Sequence, residues 1–116
     1  MSASQLRLNL VEGSVSFGFT PEAAREFQKA ITALLENLKA IASRAPGSVQ
    51  TQPYPSMEYQ YSGDVFLECF CNPNIWPSPF AAKVLMTVRD DRIRLTTEAE
   101  LTRIVEDINE YLENWS

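Results

Sequence analysis

A two-layer α+β domain is the fold class the sequence predicts: a mostly antiparallel sheet with two helices on one face, in the order β-β-α-β-β-β-β-α. Three observations predict it. Short segments alternate apolar and polar residues, two longer segments repeat apolar residues every three or four positions, and the later strand-like segments are joined by connections too short for crossovers. The 116 residues, 45% of them hydrophobic, suit a single domain spanning residues 1–116 that builds its core without disulfide or metal.

The first two elements read as a hairpin. Leu6, Leu8 and Leu10 alternate with Arg7 and Asn9, then Val15, Phe17 and Phe19 alternate in turn, with Gly13 and its neighbours suited to the bend. Thr20-Pro21-Glu22 opens a helix: the threonine hydroxyl can accept from a free N–H, proline fits the first helical position, and glutamate suits the positive end. Phe27, Ile31, Leu34, Leu35, Leu38 and Ile41 place its apolar residues on one face, and it ends near Arg44, before Pro46-Gly47.

Residues 46–56, with three prolines and a glycine, read as a long surface loop. "MEYQY" and "VFLECFC" then form a hairpin about Ser62-Gly63-Asp64, with one long bulged strand over 56–71 as the alternative. A further hairpin joins "AAKVLMTVR" to "RIRLT" through Asp90-Asp91, with Ile93 and Leu95 facing the core and Arg92 and Arg94 facing away. Thr97 and Glu100 have the spacing of a capping box. An amphipathic helix follows, its stripe traced by Leu101, Ile104, Val105, Ile108, Tyr111, Leu112 and Trp115.

Composition narrows the chemistry. The chain has no histidine, which removes the commonest general base and metal ligand and excludes Ser-His-Asp and Cys-His machinery within one chain. The net charge of −5 arises entirely after residue 96: six acidic residues and one arginine lie there, against nine of each sign before it. An acidic pole on a neutral body argues against nucleic acid and anionic membranes as partners. No apolar run is long enough to span a membrane, and the first residues lack the pattern of a secretory signal, so a cytoplasmic location is expected.

Three segments attract attention as sites. Cys69 and Cys71 point to one side of a strand but lack the further ligands that zinc requires; with Val65 and Leu67 they read as an inward core row, and neither metal nor cofactor is expected. The segment after them carries Pro73, Pro77 and Pro79, which stiffen the chain around Asn72, Asn74, Ile75, Trp76 and Phe80. Its rings either cap the core or serve as pre-ordered anchors for a partner. Phe66, Phe70 and Leu85 fall on the sheet face away from the helices, so a homodimer through that face is a further expectation. Glu106, Glu110 and Glu113 stack on the last helix as a weak candidate face for a basic partner.

The function this favours is a non-enzymatic protein–protein interaction module, such as an adaptor, assembly factor or regulatory subunit. The alternative is a small-molecule binder with an aromatic pocket lined by Tyr59, Tyr61, Trp76 and Phe80. A carboxylate enzyme using Glu58, Asp64 or Glu68 is the remote alternative, since no spacing singles out an acid–base pair.

Overall fold

The computed structural model describes residues 5–44 and 52–115. It is an α+β fold of two helices and two antiparallel sheets. Strands β1 (Gln5–Leu10) and β2 (Gly13–Gly18) form the first sheet, and helix α1 (Pro21–Ala42) follows. Strands β3 (Met57–Ser62), β4 (Phe66–Cys71), β5 (Lys83–Arg89) and β6 (Arg94–Glu100) form the second, in the order β3-β4-β5-β6, and α2 (Leu101–Glu113) closes the fold. The strands thus divide into two sheets. The ladder between β1 and β2 stays separate, although β1 also touches β6.

The local signals at the first helix are met as read. Thr20 Oγ1 accepts from the Ala23 N–H at 3.1 Å, Pro21 takes the first helical position and Glu22 lies in the first turn. Ala24, Phe27, Ile31, Leu34 and Leu38 are buried along one face. The stretch 57–71 resolves as a hairpin rather than one long strand, with Ser62 paired to Phe66 and the Gly63 N–H donating to the Val65 carbonyl at 3.0 Å. Residues 46–51 of the expected loop lie outside the described residues.

Two expectations fail locally. Thr97 does not cap a helix: it pairs with Met86 inside β6, and the ladder runs on to Glu100 opposite Lys83. The first residue of α2 instead donates its N–H to the Ala82 carbonyl at 3.1 Å, and Glu100 turns its carboxylate to Arg103 at 2.7 Å. One first-turn N–H of α2 thus finds a backbone acceptor outside the helix, and no side chain caps the helix start. Ile93 does not reach the core; it is 67% exposed. Asp90 Oδ1 accepts from the N–H groups of both Arg92 and Ile93 at 2.8 and 2.9 Å, which holds Ile93 in the turn and delays β6 until Arg94.

The core lies between the inner face of the second sheet, the two helices and the first hairpin. Leu67, Cys69 and Cys71 are buried in it as one row, with Val65 packed partly against them. Phe27 stacks on Tyr59 with ring centroids 4.5 Å apart, and the Tyr59 hydroxyl donates to the Ala23 carbonyl at 3.1 Å. The α2 helix holds the first hairpin by polar bonds as well as apolar contacts. Asp107, which is buried, accepts from the Asn9 backbone N–H at 2.7 Å and from Asn9 Nδ2 at 2.8 Å. The buried Tyr111 hydroxyl donates to the Phe19 carbonyl at 2.9 Å.

Among the described residues no helix is long and apolar enough to cross a membrane.

Candidate functional site: an apolar groove beside the proline-rich loop

The segment after β4 folds into three parts with different roles. Pro73–Ile75 form one turn of 3₁₀ helix, capped by Asn72, whose side chain accepts from the Asn74 N–H at 3.0 Å. Asn74 is fully engaged in holding the chain. Its Oδ1 accepts from the Tyr54 N–H at 2.9 Å, and its Nδ2 donates to the Tyr54 carbonyl at 2.8 Å and to Asn72 Oδ1 at 2.8 Å. This pair of asparagines pins the segment that leads into β3 to the segment that leaves β4.

Trp76 is half-buried and packs against the core. Ile75 and Phe80 point the other way, at 67% and 87% exposure. The aromatic pocket expected from Tyr59, Tyr61, Trp76 and Phe80 is therefore not formed. Tyr59 is committed to Phe27 and Ala23, Tyr61 packs on Phe19 with ring centroids 4.6 Å apart, and Phe80 stands clear in solvent.

Phe80 instead edges a different hollow. A groove of about 510 Å³ runs between Leu35, Lys39, Ala42 and Ser43 at the end of α1, Ser78, Pro79 and Phe80 of the loop, and Thr102 and Val105 at the start of α2. Its walls are almost wholly apolar, and among the described residues Lys39 is the one charged residue lining it. Leu35 and Val105 were legible only as parts of helical stripes. The signal was in the doublets Leu34-Leu35 and Ile104-Val105: Leu34 and Ile104 are buried, while the second member of each doublet is half-exposed at the groove. A doublet widens an apolar stripe beyond what one core contact consumes.

The two cysteines have no metal-binding company. Among the described residues no group of three or more Cys, Asp or Glu side chains converges as a metal site. Burial pushes the Cys69 thiol up to about 12, aided by the neighbouring Glu68 charge. Burial raises Cys71 to about 11, with the Trp76 side chain offsetting part of the rise. Thiols held protonated are poor nucleophiles.

The carboxylates do not assemble either. Glu58 and Glu68 are exposed on the outer sheet face, Glu68 accepting from Gln60 Nε2 at 3.0 Å, whereas Asp64 lies in the β3–β4 turn against Gly18. A Cβ at position 18 would meet the Asp64 carboxylate, the exposed end of a side chain that can swing aside.

On the outer face of the second sheet, Phe70 and Leu85 are cross-strand neighbours, 40% and 46% exposed. Phe66 is half-buried beneath the Arg89 guanidinium, which sits 4.4 Å from its ring centroid. Glu106, Glu110 and Glu113 are exposed along α2.

No protein-family model matches this chain, and neither a curated protein nor a solved structure matches it. The groove and the sheet face are therefore judged by their own chemistry.

Proposed function

We propose that this chain is a non-enzymatic interaction module that receives apolar side chains of a partner polypeptide in the groove between α1, α2 and the Phe80 loop. One observation carries the reading: Phe80 is 87% exposed at the rim of a groove of about 510 Å³ whose walls are apolar. An aromatic ring held in water on a loop with three prolines loses little freedom on binding, the property of interface anchors. The polar bonds of Asn72 and Asn74 support the same reading, since they fix the start of the loop without using Ile75 or Phe80.

A photo-crosslinking phenylalanine analogue at position 80, in the full chain expressed in its native host, tests it. The expected product is one dominant adduct to another polypeptide, lost when Val105→Glu charges the groove wall. Phe80 is exposed, whereas Val105 is half-buried and packs against the core, so Val105→Glu is expected to lower the denaturant midpoint. Crosslinking is read under conditions where circular dichroism shows the variant folded. Absence of any adduct, or an adduct indifferent to Val105→Glu, overturns the proposal.

A small apolar ligand is the second reading of the same groove, favoured by its volume, which falls within the range of ligand pockets. A thermal shift with apolar small molecules that Val105→Glu abolishes, without a polypeptide adduct, would select it.

A further inference from the structure

From the outer face of the second sheet we infer a second interface: it pairs with its own copy through a two-fold axis along the row Gln60–Glu68–Thr87–Thr96. These four residues are register partners across β3, β4, β5 and β6 on the outer side of the sheet, where Gln60, Glu68 and Thr96 are exposed and Thr87, 3.3 Å from the Thr96 hydroxyl, is buried. The row is also the midpoint of the face. One step to one side lies the row Glu58–Phe70–Leu85–Glu98, and one step to the other lies Ser62–Phe66–Arg89–Arg94.

A two-fold axis lying in the face along the middle row exchanges the two outer rows. Each strand then lies over its own copy running the opposite way. Phe70 of the second copy meets the Arg89 guanidinium that lies over the Phe66 ring, Leu85 meets the stem of Arg89, and Arg94 meets Glu98, each contact made twice. Basic charge sits on one outer row and acidic charge on the other, so an axis along the middle row brings opposite charges together. A two-fold axis along the strands would instead lay β6 over β3, setting Glu98 against Glu58 and Arg94 against Ser62.

Arg94 and Glu98 are exposed on the same side of β6, about 13 Å apart along the strand, too far to pair with each other. Among the described residues neither forms an ion pair. Aligned sheets pack about 10 Å apart, a gap that an arginine and a glutamate span from opposite sides.

The area fits a modest dimer. Four strands spaced about 4.8 Å and about 20 Å long offer roughly 400 Å² in projection, with more accessible surface on the side chains. This falls at the low end for specific interfaces, which places the expected dissociation constant at about 1–100 µM. One element opposes association: Glu68 meets its own copy at the axis, with Gln60 donating to it from one side.

Sedimentation velocity over a concentration series tests the interface on the full chain. The parent chain is expected to dimerise, with Leu85→Lys monomeric and still folded because Leu85 is already 46% exposed. Arg94→Glu and Glu98→Arg should each weaken the dimer at least about tenfold, because each creates two like-charge contacts. The combination of both reversals should return the constant to within about threefold of the parent. Glu68→Gln should tighten it.

A chain that stays monomeric to about 1 mM overturns the proposal, as does a dimer that Leu85→Lys leaves intact. Failure of the double reversal to restore what the single ones lose overturns the axis. A photo-crosslinker at position 85 that captures a different protein, with the chain itself monomeric, assigns the face to that protein instead. None of these outcomes bears on the groove at Phe80, which lies on the helical side.

Discussion

Cys69 and Cys71 show how far a single side chain's role follows from its neighbours. Their spacing in a strand puts both on one side, and Leu67 before them is apolar, so the side is the core. Burial then holds both thiols well above the ordinary value of 9.0. A group whose proton is held more tightly in the folded chain leaves stability intact below its unfolded value and lowers it as pH rises beyond. Stability should therefore fall between about pH 9 and pH 12, seen as a declining urea midpoint, with the buried Tyr59 hydroxyl acting in the same direction at the upper end. At pH 8 a thiol reagent should label neither cysteine until denaturant unfolds the chain. Ile93 is the opposite case. Alternation alone assigned it inward, but Asp90 bonds two successive N–H groups ahead of it and winds the chain into a turn, so the alternation starts one residue later.

At the scale of the element, two threonines with similar local sequence context behave differently. Thr20 bonds the free Ala23 N–H and begins α1, whereas Thr97 sits in mid-ladder opposite Met86. Thr20→Ala should cost about 1 kcal/mol in chemical denaturation, the usual worth of such a cap. Thr97→Ala should change stability by less than about 0.5 kcal/mol, since no helix end depends on its hydroxyl. A capping box is a local bargain between four residues. At Thr97 it competes with ladder hydrogen bonds to β5 that only the assembled sheet offers, and the sheet wins. Both helices, the three hairpins and the inward rows of β4 and β5 were legible because periodicity reports burial directly.

At the scale of the whole molecule, Asp107 joins the two ends of the chain. It lies on the acidic stretch that gives the sequence its net charge, yet it is buried and clamps Asn9 with both oxygens, 98 positions away. Asp107→Ala would leave the Asn9 N–H and amide without that acceptor, a loss of about 2–3 kcal/mol measurable by denaturation. Asp107→Asn should lose less, because one amide oxygen still accepts. The clamp fixes α2 across β1, and α2 in turn supplies Val105 to the groove beside Phe80. Charge counting could not separate Asp107 from Glu106 and Glu110, its exposed neighbours on the same helix.

The sequence by itself determined the α+β class, the order of elements, the inward cysteines and the rigidity of the Phe80 segment, because each depends on periodicity or on proline geometry within a few residues. Tertiary structure alone decided that the first hairpin forms its own sheet, that Thr97 is a strand residue and Asp107 a buried clamp, and that Trp76 and Phe80 part company. It also decided which members of the apolar doublets stay uncovered, and which outward residues share a row. These are contacts between segments far apart in the chain, and no local pattern carries the coordinates of a distant partner.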